Sequence, residues 1–410
     1  MTRRALRRPD EGGAILIHVA IALLVLIAFS AFAVDIGIMW VSRNQAQNAA
    51  DAAALAAATS LAFDAPDDRD LATRAAQAVG AQNFVWGMAA DIQPGDVTFP
   101  ECPPGAPGPP DTCVRVNVFR NQVRHPLPTF FARLVGVESQ GVQATATAQV
   151  LTQNQSDCVL PFAVPDKWEE HFPEPVVPWN PESEFDLFYP SGSQRGDPLP
   201  DPDVYIPPYT SGGELDPNTT GFRVEGASND YGTELTLKVG NPQQTIAPGW
   251  FFPVDLPRAD GAPITGGDKY RENIASCNGV SIGPGDILQN EPGNMIGPTA
   301  QGVEALIAQD PTAHWWDPDG PGGPERGTVV SEMGASSPRL VALPLFNVDV
   351  YERGRASGRV DLEVTNVLGF FIDRMEGNDV IGYLTHIPTT YRGGAVNREA
   401  AFLRTVILVR

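Results

Sequence analysis

The amino-acid sequence predicts an α+β protein: a long N-terminal transmembrane helix continuing into an α+β module, followed by a mostly-β, Pro/Gly-rich acidic domain. Three observations carry this. An uncharged apolar run of 21 residues occupies positions 14–34, an alanine-rich stretch without proline follows it to Leu61, and from Asp157 the chain turns to prolines, acids and short alternating segments. Gly 40 and Pro 39 together make about a fifth of the 410 residues, high for a helical enzyme but below wholly low-complexity chains.

The apolar run opens at Ala14 and closes at Val34, with His18 and Ser30 as its polar residues. At ~1.5 Å per residue it spans roughly 31 Å, the thickness of a bilayer's hydrocarbon core. Arg3, Arg4, Arg7 and Arg8 precede it. The positive-inside rule therefore makes residues 1–13 a cytoplasmic tip, residues 14–34 the span, and everything after it extracytoplasmic. Ala31-Phe32-Ala33 matches a signal-peptidase site. The run is longer than a usual signal core, however, and the helical pattern continues past the would-be cut, so an uncleaved anchor is the preferred reading.

Residues 36–61 contain one glycine, Gly37, and many alanines, the best helix former. Joined to the anchor they predict one helix of about 49 residues, roughly 70 Å long. Leu55, Ala58, Ala62 and their neighbours predict a face that packs on a globular module. The alternative use of that face is self-association through the Ala-rich helix; packing within one chain is preferred. Asp67 or Asp68 can cap a second helix over residues 69–86. Residues 114–119 and 142–151 read as strands, and 129–135 as a short helix between them. Residues 35–156 thus form an α+β stalk or head module.

Residues 157–410 are read as an acidic, mostly-β domain. Aromatics at the density of Trp168, Phe172, Trp179, Phe185, Phe188, Tyr189, Tyr205 and Tyr209 argue for order despite the prolines. Strands are expected at 234–239, 339–350, 359–365, 379–386 and 404–409, and one helix at 299–309 with Thr299 as its cap. The net charge of -21 excludes nucleic acid as a partner, because phosphates would be repelled. Cys102, Cys113, Cys158 and Cys277 form no C-x-x-C pair, so a zinc site is not indicated. On the far side of a membrane, disulfides 102–113 and 158–277 are one reading and four reduced thiols the other.

Gly13-Ala14-Ile15-Leu16, then Val34-Asp35-Ile36-Gly37, Arg43, and the block Gln47-Asn48-Ala49-Ala50-Asp51-Ala52-Ala53-Ala54-Leu55-Ala56 resemble the N-terminal signature of TadG-like proteins. These belong to the TadE/TadG-like, Flp (tight-adherence) pilus-assembly group. Asp35, Gly37, Gln47, Ala50, Asp51 and Leu55 carry the match, which covers residues 12–62 and fades beyond about 150. The resemblance implies a pilin-like outline for the module and a single-pass accessory protein of pilus assembly in the bacterial inner membrane. The N-terminus would be cytoplasmic, the body periplasmic, and the partners other pilus-assembly membrane proteins and, through residues 14–34, the lipid bilayer. Pilin-like relatives are cut after a glycine and carry Glu at the fifth mature position. Counted from Gly13 that place holds His18, which argues against processing and filament incorporation.

No cofactor is indicated, and no enzyme. Gly279-Val280-Ser281-Ile282-Gly283 matches the G-x-S-x-G nucleophile elbow, with Asp310, His314 and His386 in the right order. Pro284-Gly285-Asp286 follows it, so a glycine-rich turn between strands is preferred to an anchored serine hydrolase. Asp317-Pro318-Asp319-Gly320 is a weak calcium candidate through Asp317 and Asp319, although Pro321 and Gly322 stand where a ligand and the turn glycine belong. Glu169, Glu170 and His171 read as a surface charge cluster, and His125 stands alone. The D-x-S-x-S metal motif of von Willebrand A domains, present in some TadG-like proteins, does not occur. His314-Trp315-Trp316 reads as a loop whose tryptophans plug or cover a core rather than dock a partner. A pilus-independent envelope binding or adhesion protein is the alternative function.

Overall fold

The computed structural model describes residues 12–409 except 65–67, 174, 175, 177, 211, 227, 228, 241–245, 258–265, 278, 292, 294, 321–326, 357–360 and 391–395. Most of the expected cytoplasmic tip, and Asp67, lie outside these residues.

Helix α1 runs unbroken over Gly12–Thr59 and ends in one wider turn, Ser60–Asp64. Leu16, Leu24 and Phe29, on different sides of its first half, are all exposed, so no described part of the chain covers them. From Asp35 onward burial becomes periodic. Ile38, Ser42, Ala46, Ala49, Ala50, Ala53, Ala54, Ala57 and Ala58 are buried, at the three-and-four spacing of one helix face. Opposite that face lie the inward residues of two antiparallel strands, Val114, Val116 and Val118 on one and Ala144, Ala146 and Ala148 on the other. Small residues on both surfaces let backbone approach backbone. The alanine stripe is therefore consumed inside the chain, while Leu55 is only half-buried at its margin.

Helix α2, Arg69–Ala81, begins at Asp68, whose carboxylate accepts the Leu71 amide at 2.7 Å. It stops five residues short of the expected end at Trp86. Trp86 (φ 49°) and Gly87 (φ 74°) form a left-handed two-residue turn that pairs Phe84–Val85 with Met88–Ala89 as a hairpin. Turn chemistry overrides the helical spacing of Phe84. The expected helix at 129–135 is shorter too, a 3₁₀ turn over Ala132–Val135.

The head sheet comprises β1 (Val97–Thr98), β2 (Cys113–Arg120) and β3 (Val142–Gln153), extended by two strands from the far end of the chain. The C-terminal region contains β4 (Phe162–Pro165), β5 (Glu234–Val239), β6 (Trp250–Asp255), α3 (Gly267–Ala275), β7 (Ile287–Asn290) and α4 (Ile296–Ile307). There follow β8 (His314–Trp316), β9 (Thr328–Val330), β10 (Leu340–Phe346), α5 (Val348–Ala356), β11 (Leu362–Glu376), β12 (Asp379–Leu384), β13 (Ile387–Pro388) and β14 (Leu403–Val409). The head sheet has the order β13-β14-β3-β2-β1, and β14 lies antiparallel to β3 over Leu403↔Gln153 to Val409↔Thr147. Residues 154–386 thus leave the head after β3 and return to it at β13, so that β14 lies beside β3.

Within that insertion β5, β12, β11, β10, β4 and β6 follow one another around a closed barrel, sealed where Trp250 and Phe251 of β6 run parallel to Lys238 and Val239 of β5. β7 bridges β6 and β11. Gly249 enters β6 at φ 76°, and a Cβ there would sit 2.2 Å from the Thr236 carbonyl, so the seam requires glycine. Phe162, Phe251, Phe252, Phe346, Phe370 and Tyr351 fill the core.

Several expected elements are corrected here. The strand expected over 339–350 ends at Phe346, because the Asn347 side chain accepts the Val350 amide at 3.1 Å and starts α5. α4 starts at Ile296 with Met295 as its cap residue. Thr299 is buried within the helix, its hydroxyl 3.0 Å from that of Tyr270. His314-Trp315-Trp316 is a strand, not a loop. Trp315 stacks on Tyr383 (4.8 Å, 9°) while Trp316 stays exposed, so one of the pair covers the barrel and the other faces out.

The proline-rich residues between β4 and β5 are ordered around buried aromatics and carboxylates. Trp168 meets Trp179 and Phe185 edge-on, and Trp179 meets Phe222. Asp166, wholly buried, accepts the Lys167 and Phe222 amides and the Tyr205 hydroxyl, all at 2.9 Å; burial pushes its carboxyl up to about 6. Asp203 gathers the His171, Phe172 and Asp186 amides in the same way. Glu170 is not at the surface as expected: it is buried and accepts the Trp168 indole N–H at 3.0 Å. His171 does lie towards solvent, 3.0 Å from Asp201, whose hydrogen bond raises its basicity.

Candidate functional site at the helix–head junction

Asp35 is the first residue after the apolar run and the first of α1 to be buried by the head. Its carboxylate accepts the backbone amides of Phe130 (2.8 Å), Phe131 (3.0 Å) and Ala132 (2.6 Å), and its carbonyl accepts the Gln140 side chain at 3.2 Å. The Phe130 amide, with those of Ala132 and Phe131, holds the carboxyl below the usual carboxylate range against the opposing effect of burial. Helix and loop are locked by a charge to which three donors converge. The loop is itself closed: Leu127–Pro128 pairs with Ser139–Gln140, and the Thr129 hydroxyl donates to the Val137 carbonyl at 2.5 Å.

About three turns along α1, the signature residue Gln47 makes a second tie to the head. The Gln47 amide group donates to Asp51 Oδ1 at 2.8 Å and to the Thr145 carbonyl on β3 at 3.1 Å. Ala50 is fully buried between these contacts. Gln45, outside the signature residues singled out from the sequence, accepts the Trp86 amide at 2.7 Å and ties the hairpin to the helix. Gly37 faces open space, and nothing in the structure explains a glycine there. The structure thus brings Asp35, Gln47, Ala50 and Asp51 to one helix–head seam, with Leu55 at its edge. Only the helical half of that seam is readable locally; the Asp35 partners lie about 95 residues away in a loop without regular pattern, and the Gln47 partner is a backbone carbonyl of β3.

The Asp35 lock makes a local prediction. In Asp35→Ala the amides of Phe130, Phe131 and Ala132 lose their acceptor, and hydrogen exchange at these three positions is expected to rise by at least an order of magnitude, with exchange in β11 unchanged. Retained protection at 130–132 would show that the carboxylate is dispensable.

The remaining sequence candidates are dispersed. Ser281 is exposed beside the Ser156↔Ile282 bridge, and a turn at Pro284 and Gly285 and strand β7 rather than a helix follow it, so the strand–turn–helix of a nucleophile elbow is not built. The Asp310 carboxylate accepts from Ser331 and Ser337 at 2.6 Å, His314 Nδ1 lies 3.0 Å from the Thr312 carbonyl, and His386 is buried beside Tyr231 and Glu225. Asp317 is half-buried and Asp319 exposed, while Pro321 and Gly322 lie outside the described residues. Among the described residues no group of three or more His, Cys, Asp or Glu is placed to hold a metal ion. The cysteines are paired as Cys102–Cys113 and Cys158–Cys277.

A long apolar helix whose second half forms the spine of an α+β head defines a helix-borne head protein with a barrel inserted in its sheet. Within residues 13–148 the chain is similar to two family models of Flp pilus assembly. Residues 13–60 match the family model described as putative Flp pilus-assembly TadE/G-like, and residues 41–148 match that described as putative Tad-like Flp pilus-assembly. No curated protein and no solved structure matches the chain.

Proposed function

We propose that this chain is a single-pass inner-membrane accessory protein of Flp pilus assembly, acting through protein contacts and without catalysis. The observation that carries the reading is the two-part character of α1, bare and apolar to Val34, then buried by the head from Asp35. A helix exposing that many leucines, isoleucines and phenylalanines to water would be costly, whereas lipid solvates it. The arginines before the run support a cytoplasmic N-terminus. The two disulfides support an oxidising compartment for the body, here the periplasm. Partners are other pilus-assembly membrane proteins; the exposed Trp316 beside the barrel is a suitable position for a crosslinker that would capture them.

The test is topology. A cysteine introduced near residue 5 is expected to be shielded from a membrane-impermeant thiol reagent in intact spheroplasts. One at Asn218 is expected to be labelled, with the chain staying in the membrane fraction after carbonate extraction. A mature polypeptide free in the periplasm and beginning at Val34 would overturn the reading.

A further inference from the structure

The loop that Asp35 holds has a second property. Phe130 is 58% exposed, Phe131 39% and Val137 47%, although a loop in water has no reason to present two phenylalanines. Val123 projects from the neighbouring turn at 90%. This end of the head is fixed in height. Asp35 follows Val34 directly, so the carboxylate that binds the Phe130, Phe131 and Ala132 amides stands one residue from the end of the apolar run. Trp40, 69% exposed on the same helix, lies about 9 Å further along at 1.5 Å per residue. Charge agrees with position. In a chain of net charge -21, residues 121–141 hold one acid, Glu138, and although Arg124 is paired with Asp96, Arg133 stands exposed beside the phenylalanines.

We propose that the 121–141 end of the head is a bilayer-surface collar. Phe130, Phe131 and Val137 enter the headgroup–acyl boundary beside the emerging helix, and Arg133 meets lipid phosphates. Aromatic rings favour this boundary, and cations near it gain from anionic lipid. The collar gives the Asp35 lock a purpose: with helix and loop both in the membrane and rigidly joined, the head cannot swing about a single-helix hinge, and the barrel is presented at one angle. This inference rests on the anchor reading above.

The test uses the full chain in proteoliposomes of phosphatidylcholine and phosphatidylglycerol, with an environment-sensitive fluorophore on single cysteines introduced by Phe131→Cys, Phe29→Cys or Asn218→Cys. The native cysteines are paired and do not compete for the label. Nitroxide lipids quench by depth. The Phe131 probe is expected to be quenched several-fold more than the Asn218 probe by nitroxides just below the headgroup, and the Phe29 probe by nitroxides deep in the tails. A Phe131 probe as unquenched as Asn218, with Phe29 quenched, overturns the collar and leaves the anchor standing. If Phe29 is also unquenched, the anchor fails and the collar with it. Shielding of Phe131 that appears only at high protein-to-lipid ratio assigns the patch to a second copy of the chain and overturns the collar too.

Discussion

Replacing Cys158 and Cys277 together by alanine is expected to lower stability by about 4–5 kcal/mol. The bond closes a sequence separation of 119 residues, joining the segment that enters the barrel to the turn after α3. Cross-linking so long a loop removes much of the unfolded chain's freedom. Cys102–Cys113 spans a separation of 11, and by the same argument its removal costs about 3 kcal/mol. Urea denaturation of the two double variants in matched detergent checks the order. Equal midpoints, or a larger loss at 102/113, would show that loop length is not what governs stability here.

The second large effect is expected at Arg404. This side chain is 2% exposed on β14 and joins three parts of the molecule. Its guanidinium donates to the Ala62 carbonyl at 2.8 Å, in the wide turn that ends α1, and to Glu225 Oε1 in the loops before β5. Arg398 Nε lies 3.1 Å from Glu225 Oε2 and His386 Nε2 3.9 Å from its Oε1. Arg404→Met leaves Glu225 buried without its nearest cation, and breaking a buried pair from one side costs about 3–5 kcal/mol. Arg398 should hold the loss towards the lower figure. Adding Glu225→Gln removes the stranded charge and is expected to restore at least half of the loss. A single variant as stable as the parent, or a double variant worse than the single, would refute the account.

The Arg404 contacts concern how the barrel is bound to the head, and that is where sequence and structure part company. Asp68 as a helix cap, the alternation of 114–119 and the length of α1 follow from properties of neighbouring residues, and each is found where the sequence places it. The signature residues Asp35 and Gln47 are equally visible, but what they bind is not: the 130–132 amides and the Thr145 carbonyl are backbone groups, identical in every sequence. Barrel strands β4, β6 and β7 are four to six residues long, and β4 and β6 include Pro165 and Pro253. β4 is buried on both faces and β6 nearly so, hence no period-two pattern marks them. β11 runs on past the 359–365 expectation to Glu376, because residues 364–372 are buried on both sides, which hides the alternation.

By itself the sequence determined the apolar rod, the alanine face, the acidic loop-rich body and the TadE/G-like signature. All of these depend on residues a few positions apart, where hydropathy, side-chain size and capping act. Only the tertiary structure decided that Leu403–Val409 completes the head sheet beside β3 and so makes the barrel an insertion. A strand's choice of neighbour rests on backbone hydrogen bonds and on the burial of both faces, and neither leaves a mark on the local pattern. The same holds for the collar, since exposed phenylalanines acquire a height above the membrane only once Asp35 has bound their amides.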